Sequence, residues 1–402
     1  MHPFYHVYCR CFQTVLRLAL PFLPYRSPQV LHSVTEVPQC LLRRNIRHVL
    51  VVTDGFLHIS GMLEPLKKAL QNNGIAYTIY DEVTPNPTIL NVELARQRYL
   101  KSGCQGLIGF GGGSAIDCAK AVGARIARPK KTIPQMRGIL QVLKPIPFLI
   151  AVPTTAGTGS ETTLATVITD DQNAHKFPIN DFPLIPKVAV LDPEMTRSLP
   201  KNMTFTTGMD ALTHAIEAYI GNSTTRQTRA DALEAVRLIA GNLEKAYHDG
   251  NDMTARANML RAAFLAGGAF SKSYVGYCHA VAHSLGGRYH TPHGLANAVL
   301  LPYVLEAYGT AIDRKAKEIA IAMGIAGEDT SPRECSVRLI AEIRRMNREM
   351  GIPETLPGIR GEDISRLAVY AHREANPLYP VPRLMDAKQL QQFYYDVMEE
   401  SK

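Results

Sequence analysis

Short β-branched and apolar runs alternate with amphipathic stretches between about residues 46 and 195. The runs are His48–Thr53, Tyr77–Tyr80, Gly106–Phe110, Phe148–Val152 and Val188–Leu191. Their length and their Val/Ile content read as strands. Between them, Met62–Asn73 and Val92–Ser102 repeat apolar residues at helical spacing. Strand–helix alternation predicts an α/β region with a mostly parallel sheet and helices on both faces. Beyond Pro200 the strand signal stops. Helical periodicity is read over 205–221, 225–247, 253–270, 275–286, 309–324, 331–350, 361–374 and 386–399, which predicts an all-helical second half. The expected organisation is an N-terminal extension (1–25), an α/β domain (26–200) and an all-α domain (201–402).

Composition narrows the class. Hydrophobic residues make up 46% of the 402 and charged residues 20%, enough apolar side chains for a sizeable core. No run of 18 or more apolar residues occurs, so no membrane span is predicted. The seven cysteines form no CxxC pair and read as reduced thiols of a cytoplasmic protein. The net charge of +8 is concentrated in residues 1–50, with six arginines and one glutamate, and in 118–160, with seven cations and no acid. Neither stretch carries a nucleic-acid-binding motif, so no nucleic-acid partner is expected; a solvated face or a positive field for an anionic dinucleotide accounts for them. Residues 1–25 share the acid-free, arginine-bearing bias of transit peptides. Arg17 and Pro21 break the apolar stretch and no small-residue cleavage site follows, so an added surface or interface segment is expected.

Two loops carry the signs of a nucleotide site. Strand 105–110 runs into Gly111, Gly112, Gly113 and Ser114 and then a helix, Ala115–Ala127, with Ser114 and Asp117 at capping-box spacing. Glycines admit close backbone approach, and the N–H groups of a helix start suit a pyrophosphate. Ser114 stands where the dinucleotide fingerprint has its third glycine, so the phosphate-binding physics applies while the motif itself does not. A tight structural turn is the competing reading. The second loop, Pro153–Glu161, combines two glycines with hydroxyls at Thr154, Thr155, Thr158 and Ser160. Asp54, at the end of the strand His48–Thr53, is placed to hold an adenosine ribose and to repel a 2′-phosphate, which favours NAD over NADP.

The helical half carries ligand-type residues at i, i+4: Asp210 with His214, and His279 with His283. A loop bounded by Pro292 and Gly294 then delivers His293. Carboxylate and imidazole without thiolate suit Fe²⁺, with Zn²⁺ or another divalent metal possible.

In order and spacing, Gly111–Ser114, Pro153–Glu161, Gly208–Glu217, His279–Gly287 and Pro292–Ala298 resemble the iron-dependent (group III) alcohol dehydrogenase family, which includes lactaldehyde reductases, propanediol dehydrogenases and butanol dehydrogenases. The resemblance spans roughly residues 28–400. It implies an α/β dinucleotide-binding domain, an all-helical metal-binding catalytic domain and an active site in the cleft between them. It also implies hydride transfer between a short-chain alcohol and NAD(H), and a homodimer or larger assembly. Carried over by position, Asp210, His214, His279 and His293 fall on the metal ligands, and His283 on a catalytic histidine near the nicotinamide. Asp54, Asn86, Gly112, Gly113, Ser114, Thr154, Thr155, Thr158 and Lys176 fall on the NAD site. The family's glycine-rich turn near residue 32 is replaced by His32–Glu36, and His290 matches no ligand. Two other functions share this architecture: a metal- and NAD-dependent lyase of the dehydroquinate synthase type, and a non-catalytic assembly protein with a vestigial site.

Overall fold

The computed structural model describes residues 3–171 and 176–399. It opens with α1 (Pro3–Ala19). The α/β region follows with β1 (Gln29–Leu31), α2 (Val37–Leu42), β2 (His48–Val52), α3 (Gly55–Ile59), α4 (Glu64–Asn72), β3 (Ala76–Tyr80) and α5 (Ile89–Lys101). It continues through β4 (Gly106–Gly111), α6 (Gly113–Ala127), β5 (Gly138–Ile139), β6 (Phe148–Pro153), β7 (Ala165–Thr169), β8 (Lys176–Asn180) and β9 (Val188–Val190). The remainder is helical: α7 (Lys201–Ile220), α8 (Arg226–His248), α9 (Met253–Ser273), α10 (Tyr277–Tyr289), α11 (His293–Tyr308), α12 (Asp313–Ala322), α13 (Pro332–Glu349), α14 (Gly361–Ala375) and α15 (Ala387–Val397). Two compact units result. One comprises Pro24–Leu199 with Gly250–Leu260, and the other Met1–Leu23, Pro200–Asp249 and Arg261–Lys402.

The α/β unit is built on a six-stranded, fully parallel sheet in the order β1-β9-β6-β4-β2-β3. Alternate residues of one strand serve opposite cores. Leu50 and Val52 pack with Val92, Ala95, Cys118 and Val122 of α5 and α6. Val49 and Val51 pack with Val37, Leu41, Leu66 and Leu70 of α2 and α4. Burial on both faces is why the central strands read as unbroken apolar runs. From β2 the chain moves outward to β3 and then returns to the other side as β4. That reversal makes a topological switch point at the carboxyl ends of β2 and β4, where open α/β sheets bind ligands. A small sheet, β5-β8-β7, lies outside the strands read from the sequence. Where the family has its glycine-rich turn, Ser33 and Glu36 form a capping box, the Glu36 carboxylate accepting from His32 N and Ser33 N.

In the helical unit, α1 and α11 lie outside the stretches of helical periodicity read from the sequence. α11 is apolar around its whole circumference, with Ala296–Pro302, Val304 and Leu305 buried, so no amphipathic stripe marks it. The stretch 293–322 is long and apolar enough to cross a membrane by composition alone, yet 61% of its most apolar window is buried inside the protein.

α1 folds with this unit, clamping the irregular segment after α14. Arg10 donates to Val381 O and Pro382 O at 2.8 and 3.0 Å, and Gln13 Nε2 donates to Tyr379 O at 2.8 Å. A segment without ladder partners needs such donors for its carbonyls. The outer face of α1 leaves Phe4, Val7, Tyr8, Val15 and Leu18 exposed.

Candidate metal centre and dinucleotide loops

In the α/β unit, the glycine-rich turn after β4 meets the hydroxyl-rich loop after β6. β4 pairs in register with β6 as far as Gly111 and Pro153, and Thr154 N continues the ladder to Gly111 O at 3.0 Å. Gly111 has φ +147°, and a Cβ there would sit 2.8 Å from that of Ala115. A Cβ on Gly113 would meet Thr158 Cγ2 at 3.0 Å, and one on Gly112 would meet Thr155 at 3.5 Å. These glycines therefore allow the two loops to touch.

The expected capping box is not formed. α6 begins at Gly113, its N-cap is Gly112, and no side chain caps it. Ser114 Oγ instead accepts from Asn86 N at 3.2 Å, and Asn86 Oδ1 accepts from Lys176 Nζ at 2.8 Å. Asp117 turns away from the helix start, accepting from Ser160 Oγ at 2.8 Å and Val167 N at 2.9 Å. Asn86 has φ +59°, a conformation Asn tolerates better than most residues. Asp54 caps α3 by accepting from Leu57 N at 2.9 Å, and its Oδ2 lies 3.9 Å from the position of a Cβ on Gly111. The predicted dinucleotide residues are thus gathered around the start of α6. The uncapped N-terminus presents backbone N–H groups at the positive end of a 15-residue helix.

Two buried groups near this loop carried no sequence signal of their own. Lys120, fully buried, donates to Thr163 O, Thr163 Oγ1 and Ala165 O at 2.7–2.9 Å. Burial lowers its pKa to about 8, against the pull of Asp117 and Glu161. Burial raises the Glu161 carboxyl to about 7. Asp117 ties Ser160, at the far end of the 154–160 loop, to α6, and Lys120 ties the following Thr163 and Ala165 to the same helix.

The helical unit gathers the second constellation. α7 projects Asp210 and His214 from one face, α10 supplies His279, and α11 supplies His293 from its first turn rather than from the loop expected. One ligand-type atom from each of the four lies within 4.8 Å of every other. Asp210 Oδ1 is 3.4 Å from His293 Nε2 and 3.8 Å from His279 Nε2. Asp210, His214 and His279 are buried, whereas the His293 side chain is 37% exposed, so the cluster has one open side. His214 is sandwiched between Phe270 and His279, with ring centroids at 4.1 and 4.3 Å. Burial, then the neighbouring imidazoles, pushes His279 well below the usual histidine range, keeping it neutral. One carboxylate and three imidazoles, with no thiolate among the four, fit a divalent ion of the Fe²⁺ or Zn²⁺ type.

His283, one turn after His279, stays outside this group. Its ring stacks on His293 at 5.0 Å and its Nδ1 lies 2.6 Å from Glu374 Oε1. Tyr379 donates to the same oxygen at 2.8 Å. His290, in the left-handed conformation at the C-cap of α10, is not one of the four.

Two supporting residues, Asn297 and Glu217, lie inside the motifs Pro292–Ala298 and Gly208–Glu217. Asn297, one turn after His293, donates from Nδ2 to Asp210 Oδ1 at 2.7 Å, with His279 Nε2 and His293 Nε2 each at 3.2 Å. Glu217, one turn after His214, lies 2.6 Å from His279 Nδ1. Their i+4 and i+3 offsets from ligand-type histidines were the available signal.

Comparison with known families decides the class. Residues 29–193 match the model for iron-containing alcohol dehydrogenase, and residues 204–398 match that for the C-terminal part of the Fe-containing alcohol dehydrogenase family. The chain belongs to the iron-containing alcohol dehydrogenase family. A probable alcohol dehydrogenase, EutG, of Escherichia coli (strain K12) is 45% identical over 68% of this chain and 69% of its own. An NAD-dependent methanol dehydrogenase of Bacillus methanolicus is 36% identical over 88% and 93%. Among solved structures, a 1,3-propanediol oxidoreductase superposes with a TM-score of 0.89 at 35% identity, covering 93% of this chain and 99% of that one. This alcohol dehydrogenase is therefore an oxidoreductase of a metal-dependent type. The matches name alcohol dehydrogenases and an oxidoreductase, which sets the oxidoreductase reading above the lyase and assembly readings.

Proposed function

We propose that this alcohol dehydrogenase couples a short-chain alcohol and its aldehyde to NAD(H), with Asp210, His214, His279 and His293 holding Fe²⁺. The convergence of one carboxylate and three imidazoles within 4.8 Å carries the metal assignment. The same donors accept Zn²⁺. Support for NAD comes from the cofactor named for the Bacillus methanolicus relative and from the glycine, hydroxyl and amide groups around the start of α6. In this reading, backbone N–H groups of Gly113 and Ser114 meet the pyrophosphate, Asn86, Thr154, Thr155, Thr158 and Lys176 complete the cradle, and Asp54 holds the ribose.

When bound, the ion supplies Lewis-acid polarisation of the substrate oxygen and the nicotinamide supplies or accepts the hydride. The chain's own residues do the rest. Asp210 gives the site its one negative charge, and Asn297 holds that carboxylate in place. His279 and His293 turn Nε2 toward Asp210 Oδ1, at 3.8 and 3.4 Å. Glu374 orients His283 by accepting from Nδ1–H, which leaves Nε2 as the base for the alcohol proton in the oxidation direction. The half-exposed imidazole then hands that proton to solvent.

The enzyme is further read as a cytoplasmic homo-oligomer, a dimer or larger, with small alcohols or aldehydes as its ligands. The exposed apolar face of α1 is consistent with subunit contact. Light scattering of the purified chain tests that assignment.

The decisive experiment is anaerobic purification, elemental analysis, and NADH oxidation with propanal, butanal and lactaldehyde before and after chelation. Near-stoichiometric iron or zinc, with activity lost on chelation and restored by the metal, is the expected result. Protein that neither retains metal nor oxidises NADH with any aldehyde after reconstitution overturns it.

A further inference from the structure

Glu217 is a buried carboxylate of the helical unit, with its side chain 1% exposed. It lies on α7 one turn beyond His214 and two turns beyond Asp210, so the three share a helix face. Its two oxygens are engaged by one neighbouring helix. Oε2 accepts from Gly276 N at 2.8 Å and meets His279 Nδ1 at 2.6 Å, while Oε1 accepts from Cys278 N at 2.9 Å.

All three donors sit at the start of α10, whose own N-cap, Gly276, has no side chain to offer. Glu217 therefore caps α10 from another helix, placing negative charge at the positive end of its dipole. Room for this is made by the absence of a side chain. A Cβ at residue 276 would stand 2.6 Å from Glu217 Oε1 and 3.0 Å from its Cδ.

Burial raises the Glu217 carboxyl to about 7, opposed by the N–H groups of Gly276 and Cys278; in its ionised form it only accepts, and His279 then donates from Nδ1. That places the imidazole lone pair at Nε2, the atom facing Asp210 Oδ1 at 3.8 Å and Asn297 Nδ2 at 3.2 Å. The ring is also fixed in rotation, because Nδ1 is pinned while its face stacks on His214.

We propose that Glu217 is the positioning residue of the metal centre: it fixes the tautomer and orientation of His279 while capping the helix that carries it. This rests on the metal assignment made above. Carboxylate–histidine–metal arrangements of this kind strengthen the ligand, and losing the outer partner weakens metal affinity by about 10- to 100-fold. Glutamine at 217 keeps the shape but has one neutral acceptor oxygen: in the place of Oε2 it serves His279 and Gly276 N and turns its NH2 on Cys278 N, and in the place of Oε1 it serves Cys278 N and abandons His279, so either way the charged acceptor is lost.

The test is Co²⁺ affinity of the full chain, measured by chelator competition for wild type, Glu217→Gln, Glu217→Asp and Asp210→Ala. The visible Co²⁺ spectrum and the melting temperature of the chelated proteins are recorded alongside. Glu217→Gln is expected to bind Co²⁺ about 10- to 100-fold more weakly, with a shifted visible spectrum, while its chelated form melts as a folded protein. Glu217→Asp, a carboxylate on a shorter stem, is expected to recover part of the affinity. Glu217→Gln binding Co²⁺ as tightly as wild type, with an unchanged spectrum, overturns the proposal and leaves Glu217 a helix cap. Asp210→Ala with wild-type affinity overturns the metal assignment itself, so the two failures are distinct.

Discussion

His283 Nδ1 lies 2.6 Å from Glu374 Oε1, joining α10 to α14 across 91 residues of sequence. The imidazole is thereby oriented by a carboxylate while its face stacks on His293. His283→Ala is expected to lower turnover by about 100-fold, within the range for a general base, and to leave metal content unchanged. Glu374→Gln, which keeps an acceptor, is expected to cost less. Steady-state kinetics with elemental analysis of both variants checks this, and loss of metal from His283→Ala counts against a proton-handling role.

Gly113→Ala places a methyl 3.0 Å from Thr158 Cγ2, forcing the start of α6 away from the 154–160 loop. The expected effect is a KM for NADH raised by about tenfold, a loss of roughly 1.4 kcal/mol of binding, with little change in melting temperature. Titration of NADH fluorescence measures it directly.

Glycines elsewhere respond according to what surrounds them. Gly294→Ala would bring a Cβ within 2.3 Å of Thr206 O, a backbone atom that cannot rotate away, so α7 and α11 must part. Destabilisation beyond about 3 kcal/mol is expected, at the upper end of overpacking effects. Gly241, inside α8 with nothing within 4 Å of its added Cβ, should respond oppositely. Gly241→Ala is expected to stabilise by about 0.5–1 kcal/mol. Urea unfolding of the two variants makes the comparison.

Asp363 sits among Arg288, Tyr289, Arg360 and Arg366, all of which donate to it. Desolvation pushes its pKa up, but the hydrogen bonds from Arg288, Tyr289 and Arg360 override that and hold it at about 2, below its ordinary 3.8. A depressed carboxylate stabilises the fold above its unfolded pKa and loses that contribution as pH falls from about 4 toward 2. Asp363→Asn should therefore be less stable than wild type at neutral pH, with the gap closing across that interval. Melting temperatures from pH 7 to 2.5 would show it; a gap independent of pH would mean that charge is not involved.

Gln13→Ala removes the donor that satisfies Tyr379 O and Pro377 O beneath α1. Tyr379 O keeps Val381 N at 2.9 Å, so the loss of the Gln13 bonds is expected to cost about 1 kcal/mol. Hydrogen exchange should then rise in residues 376–385 rather than across the α/β unit.

Much of the site was legible because its chemistry is local. Asp210 with His214 is a pair one helical turn apart, and such spacing survives any rearrangement of the rest of the chain. Central strands such as Gly106–Gly111 announce themselves because burial on both faces leaves no polar interruption. α11 escaped notice for the same reason: it is buried all round, so the alternation that reveals a helix is missing. Ser114 and Asp117 have the spacing of a capping box, yet Asn86 and Ser160 claimed their side chains from outside the helix. Local rules yield where a tertiary partner offers a better hydrogen bond.

By itself, the sequence determined the parallel α/β region, the helical second half, and the residue types of both sites, because periodicity and i, i+4 spacing are properties of short segments. Tertiary structure decided what those segments do to one another. Only packing brought α7, α10 and α11 close enough for four ligand-type atoms to meet, and only packing gave Glu217 its grip on His279 from 62 residues away. Contacts of that separation depend on the angle and register at which helices dock, and these are set by the shapes of whole buried faces.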